Sequence, residues 1–224
     1  MTAPLTGIVL FGDVVASRRD PGATAWLRSL CADLDDAYPR PERLAAFGFT
    51  QGDEVQGLLA TTADPFRAIL RAGLRPDARA LRWAIVAGPI EPGSGPSTER
   101  TGPAFHVARD LLARAKAQRL GLVAVTGDAA TDGLLADLGP LLPALLDELT
   151  PRQREIGRLI VVDELRRAEA AERLHVSRAT VSVIADRGHV RHLQGLARAM
   201  ATLFAEGVAR SRAGVRQAGA GSAA

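Results

Sequence analysis

Ala46–Leu59 reads AFGFTQGDEVQGLL, and its reading decides the fold of the larger, first part of the chain. Runs with strand character, Leu44–Gln51 and Val55–Ala60, flank Gly52-Asp53-Glu54. A Gly-Asp pair between such runs predicts a tight hairpin, because glycine accepts the positive φ that a primed turn needs. The tip then carries two adjacent carboxylates. Upstream, Gly7–Phe11 reads as a buried strand with Gly12-Asp13 at its C-terminal end. If the strand after the hairpin runs antiparallel to this first strand, Asp13 and Asp53 face each other across neighbouring strands. Either acid alone is an ordinary turn residue. The pair is the arrangement that holds Mg²⁺ together with phosphate oxygens, so Mg²⁺ is the expected cofactor. Side-chain alternation predicts that Glu54 points away from Asp53.

With 224 residues, 47% of them hydrophobic, the chain is long enough for one large domain or two smaller ones. The single cysteine, Cys31, allows no disulfide within one chain, which fits a reducing compartment. There is no basic segment followed by a long apolar run at the start, and no apolar run is read as approaching the roughly 20 residues of a membrane span. A cytoplasmic protein without a membrane partner is expected. The net charge of +3 is unevenly spread. Residues 1–149 carry 15 basic and 18 acidic residues, whereas residues 150–224 carry 13 arginines and 7 acids. The second part is therefore the candidate for nucleic acid.

Taken in order, the first part reads strand, helix (Ala23–Tyr38), two hairpin strands, helix (from Asp64-Pro65 to about Ala72), strand (Leu81–Ala87), loop, helix (Pro103–Gln118), strand (Leu122–Val125). This is a βαββαβ core with an added αβ unit, an α+β fold with its helices expected on one face. The turn after Asp13, beginning at Val14 and including Ser17 and Arg18, offers backbone N–H groups to a phosphate. Glu91–Gly102, rich in Gly, Pro, Ser and Thr, is a loop that a ligand could order.

The order of elements resembles the class III nucleotidyl cyclase domain, a palm-type, ferredoxin-like fold. Phe11-Gly-Asp-Val14 matches its first metal motif, Gly52-Asp53 its second, Trp83–Pro89 its Gly-Pro strand, and Gly102–Arg109 the start of its late helix. By that resemblance Asp13 and Asp53 hold the metal, and Phe49, Glu54, His106 and Arg109 lie around a nucleotide. The family's transition-state Asn falls on His106, and its Arg on Asp110 or, with a one-residue shift, on Arg109. The catalytic half of that site is thus altered, no catalytic residue is assigned, and little or no cyclase activity is expected. The chain is also similar to the SatD family, through Gly12-Asp-Val-Val-Ala-Ser-Arg18, Gly52-Asp-Glu-Val-Gln56 and Gly102-Pro-Ala-Phe-His-Val-Ala-Arg109.

In the second part, Thr150-Pro-Arg-Gln153 is a capping box that predicts a helix start. Residues 167–184 then resemble a helix-turn-helix. A small residue at Ala170 or Ala171 lets the helices cross, and Leu174, Val176, Val181 and Ile184 fill their shared core. Ser177 caps the second helix. Arg178, Ala179, Thr180, Ser182 and Val183 remain for base edges in the major groove, with Arg187, His189 and Arg191 for phosphates. His189–Val208 reads as an amphipathic helix suited to a dimer contact or to docking on the first part, and a homodimer is expected. Domains are placed at 1–149 and 150–211, with a disordered tail at 212–224. The first reading is a DNA-binding regulator whose first domain binds a nucleotide or other phosphate ligand with Mg²⁺. The alternative is a nucleotidyl cyclase or other phosphoryl-transfer enzyme with a helix-turn-helix partner module.

Overall fold

A computed structural model describes residues 5–15, 22–50 and 53–221, with side chains through 214. Five strands form one sheet in the order β2-β3-β1-β4-β5. They are β1 (Thr6–Val14), β2 (Arg43–Phe49), β3 (Glu54–Leu59), β4 (Leu81–Pro89) and β5 (Leu122–Val125). β1 is antiparallel to both its neighbours, β3 and β4, and β2 is antiparallel to β3. This is the βαββαβ order, extended by β5 parallel to β4.

Residue alternation along β1 sorts the core into two layers. Ile8, Leu10 and Val14 face one side, with α1 (Ala23–Ala37) and α2 (Phe66–Gly73). Val9 and Phe11 face the other, where α3 (Pro103–Gln118) lies with Phe105, Ala108 and Leu112. Helices therefore cover both faces, not the one face expected. β1 and β4 are apolar at consecutive positions, and a strand buried on both faces needs a cover on each.

β1 is also longer than the sequence suggests. It stays paired through Asp13 and Val14 because β3 and β4 flank it on both sides to its end. Asp13 is thus an interior strand residue, not a turn residue. Gly12 permits this crowding: a Cβ there would stand 2.8 Å from Val55 Cγ1 and 2.9 Å from the Trp83 ring. The loop before α3 folds over β2 and β3 through a 3₁₀ turn, Ser97–Glu99, and the buried Ser97 hydroxyl donates to the Gln56 carbonyl at 2.8 Å. The loop ends on Gly102 at φ 136°, where a side chain would collide with the Glu91 backbone.

α4 (Ala129–Leu138) and α5 (Leu141–Asp147) follow β5. Ala129–Asp147 is a 19-residue stretch of mean hydropathy 1.2, apolar and long enough by composition to cross a membrane, which departs from the expectation that no run approaches that length. It is two helices meeting at Gly139-Pro140, with Leu135, Leu142 and Leu146 in the core.

The second part comprises α6 (Pro151–Gly157), a π-helical turn (Arg158–Val162), α7 (Arg167–Arg173), α8 (Arg178–Arg187) and α9 (Val190–Gly221). α9 docks on the first part. Leu193, Ala197, Met200, Phe204 and Val208 join the α1–α2 core layer, and the Phe204 ring meets Phe66 edge-on at 5.9 Å. Helical backbone continues to Gly221, so residues 212–221 of the segment expected as a disordered tail extend α9, and 222–224 lie outside the described residues. Polar contacts fix the same junction. Arg158 pairs with Asp33 through both guanidinium ends, at 3.0 and 3.3 Å, and Arg154 donates to the Gly73 carbonyl at 2.8 Å.

Candidate nucleic-acid interface and the acidic strand end

The helix-turn-helix is built from its own small core: Ile156, Leu159, Ala170, Ala171, Val181, Ala185 and Val190, with Leu174, Val176 and Ile184 packed at its edge. Ala170 and Ala171 are both buried where α7 meets α8, as the crossing requires. The Thr150 capping box is formed, with Thr150 N–H donating to Gln153 Oε1 at 2.8 Å and Gln153 N–H to Thr150 Oγ1 at 3.3 Å. The turn between α7 and α8 passes through His175 at φ 53°. Ser177 Oγ then accepts the Thr180 N–H at 3.0 Å and fixes the start of α8. Arg167 reaches across to Asp186 at 2.8 Å and ties the two helices together.

This leaves one open face. Ser177, Arg178, Ala179, Thr180, Val183, Arg187 and Arg191 are exposed, and Ser182 is half-buried. Val183 is 50% exposed although it is a large apolar residue on an otherwise anchored helix. The guanidiniums of Arg178, Arg187 and Arg191 have no ion pair among the described residues. The Ser177 and Thr180 hydroxyls are 2.8 Å apart, within the cap itself.

Residues 141–188 match the family model for sigma-70, region 4. The match begins in α5, ahead of Thr150, and ends at Gly188 as α8 closes. The region 4 segment thus includes the whole helix-turn-helix and none of α9. No curated protein matches the sequence. Among solved structures the chain is similar to two of a bacterial light-regulated adenylyl cyclase, each at 17% identity over 55% of this chain and 44% of that one, with TM-scores of 0.41 and 0.39. The chain spans less than half the length of those structures.

At the other candidate site the observed register differs from the expected one. Asp13 stands opposite Glu54 on β3 and Arg82 on β4, while Asp53 follows the turn and its carbonyl accepts the Val14 N–H at 3.0 Å. Asp13 lies on the α3 side, 4% exposed, and Lys116 Nζ from α3 meets its Oδ1 at 2.8 Å. Arg82 stands 3.7 Å from its Oδ2. Glu54 accepts from Gln56 Nε2 at 3.0 Å. Arg109 lies over the Phe11 ring at 5.8 Å, and His106 is exposed on the same helix.

Several residues expected at a ligand are placed elsewhere. Val14 is buried in the α1–α2 layer and its N–H is already bonded, so it offers nothing to a phosphate. Phe49 packs against that same layer, on the face opposite Asp13. Ser17, Arg18 and Gly52 lie outside the described residues. No group of three acidic, His or Cys side chains among the described residues is arranged to hold a metal. The Lys116 ammonium sits on Asp13, and the Asp53 charge also acts on that carboxyl, so the two acids read from the sequence lie near one another with a cation between them and solvent. The missed residue is Lys116. It is the one lysine in a chain whose other basic residues are all arginine.

Burial raises the pKa of Asp13; the Lys116 hydrogen bond and charge act against this, and the Asp53 charge adds to it. A carboxyl raised in the folded state favours folding fully below its unfolded value, near 3.8, and loses that contribution as pH rises through the folded value. Asp13→Asn should therefore remove a fall in stability that begins above pH 3.8, and leave the protein no less stable at neutral pH. Urea denaturation at a series of pH values checks this. A variant that loses stability at neutral pH would mean that the charged Asp13–Lys116 pair is a net gain. Cys31 offers no second chemistry, since burial in the α1 core and the nearby Asp35 push its thiol up to about 12.

Proposed function

We propose that the protein is a DNA-binding regulator, with α8 as its recognition helix. The carrying observation is the exposed N-terminal face of α8 on a segment that matches sigma-70, region 4. A helix is read in the major groove through its first residues, and these are the ones left uncovered while Val181 and Ala185 behind them are buried and Ile184 is partly buried. In this reading Arg178 meets a guanine, and Arg187 and Arg191 meet phosphates, which their exposure supports.

The first domain is the sensing part in this reading. A phosphate-bearing ligand, such as a nucleotide, would meet Lys116, Arg82 and Arg109 around Asp13, with displacement of the Lys116 ammonium as the response. A thermal-shift screen of nucleotides, with and without Mg²⁺, tests this. A stabilising nucleotide whose effect survives Lys116→Ala would remove the site from consideration.

DNA binding itself is tested by fluorescence anisotropy with the full chain on duplexes from the region upstream of its own operon. The full chain is needed because α9 belongs to the core of the first domain. Arg191→Ala should weaken all duplexes alike and reduce the slope of log affinity against log salt by about 0.9, the loss of one phosphate contact. Absence of salt-dependent affinity for any duplex would end the regulator reading.

A further inference from the structure

A cleft of about 360 Å³ opens where the two parts meet, between α2, the π-helical turn and α9. Its size falls within the range of small-molecule sites, about 300–1,000 Å³. The walls divide by chemistry: Leu70, Val161, Val162 and Ala201 form an apolar side, and Arg71 and Arg198 bring guanidiniums.

Three observations single out an anion. Arg71 Nε is buried without a hydrogen-bond partner, the kind of group that natural proteins rarely leave unmet. Asp33 beside it is shared between two guanidiniums, at 2.7 Å from Arg71 and 3.0 Å from Arg158, while Arg75, 3.8 Å away, is held nearer by Asp77 at 3.0 Å, so one carboxylate serves two cations at the junction. The Arg198 side chain is exposed and has no ion pair or hydrogen bond among the described residues. Of the two acids at the rim, Asp64 is occupied in receiving the Phe66 N–H at 2.9 Å, and Glu164 is exposed on the left-handed turn that follows the π-helical segment, at φ 55°.

We propose that this cleft binds a small organic anion, a carboxylate or phosphate head on a short apolar body. The head meets Arg198 and Arg71, and the body lies on Leu70, Val161, Val162 and Ala201. The occupant touches both the first domain and the segment that leads into the helix-turn-helix, so it ties their relative position to a metabolite. The site is distinct from the Asp13 end of the sheet, and it stands whether or not the chain binds DNA.

Isothermal titration calorimetry on the full chain without DNA tests it, with hexyl phosphate, hexanoate, inorganic phosphate and hexanol as probes. Hexyl phosphate or hexanoate should bind, and the stronger of the two identifies the head. Inorganic phosphate should bind at least tenfold more weakly than the better amphiphile, and hexanol should give no heat. Arg198→Ala should weaken the binding at least tenfold, with partial recovery in Arg198→Lys, and Ala201→Leu, its fold checked by circular dichroism, should abolish it by filling the apolar side. No heat from either amphiphilic anion at millimolar concentration overturns the proposal. So does binding that Arg198→Ala and Ala201→Leu both leave unchanged.

Discussion

Phe204→Ala should destabilise the whole chain by about 3–5 kcal/mol, the usual cost of removing a buried aromatic ring. Phe204 is 1% exposed, and its ring meets Phe66 edge-on in the layer that also holds Leu27, Leu30 and Ile69. The residue comes from the last helix, yet the cavity would open beside the first two. The loss should therefore appear in one cooperative unfolding transition that includes the sheet. Urea denaturation followed by tryptophan fluorescence gives the test, since both tryptophans, Trp26 and Trp83, belong to the first part. If the tryptophan transition is unmoved while helical signal is lost earlier, α9 and the helix-turn-helix fold as a separate unit and the shared core is not energetically shared.

Arg178→Ala should act on sequence preference and leave stability unchanged. Its side chain is exposed and has no ion pair among the described residues, so folding loses little when it is truncated. On DNA, a bidentate arginine–guanine pair is worth about 1–3 kcal/mol of discrimination against the wrong base. The variant should thus lose about tenfold to a hundredfold in preference for the best duplex over one altered at the contacted guanine, with non-specific affinity much less affected. Anisotropy titrations on the two duplexes at matched salt measure this ratio. An unchanged ratio would move base recognition off the start of α8, toward Thr180 and Val183.

Much of this architecture could be read from the chain. The pairing of β2 with β3, the strand order around it, the apolar stripe of α1 and the start of α2 at Asp64-Pro65 depend on local turn chemistry, capping and periodicity, which sequence carries directly. The helix-turn-helix was legible for the same reason: Ala170, Val176, Ser177 and Val181 each serve a neighbour fewer than a dozen positions away. What escaped depends on long-range packing. The side of the sheet chosen by α3 cannot be read from its own amphipathic stripe, because both faces of β1 are apolar. The register that sets Glu54, not Asp53, opposite Asp13 changes by a single step of the turn, and one step moves a side chain to the other face. Lys116 was passed over because it lies far in sequence from Asp13, near the end of a helix whose motif residues cluster at its start. Its signal was its singularity among 28 basic residues. For α9, the stripe read as Leu193, Leu196, Met200 and Leu203 indicated burial but did not name the surface that buries it, and the buried face runs instead through Leu193, Ala197, Met200 and Phe204.

That singular lysine has a practical meaning for any chemistry directed at amines. The sequence offers one side-chain amine, and it is 42% accessible to solvent while its nitrogen rests on a carboxylate that is itself almost wholly enclosed. An acylating reagent therefore finds one internal target, the ammonium at the end of the central strand. Modification there would convert a cation to a neutral amide and leave Asp13, among the described residues, with the more distant Arg82 as counter-charge. The extent of labelling, read by mass spectrometry on the intact chain, would report whether that end of the sheet is open or closed.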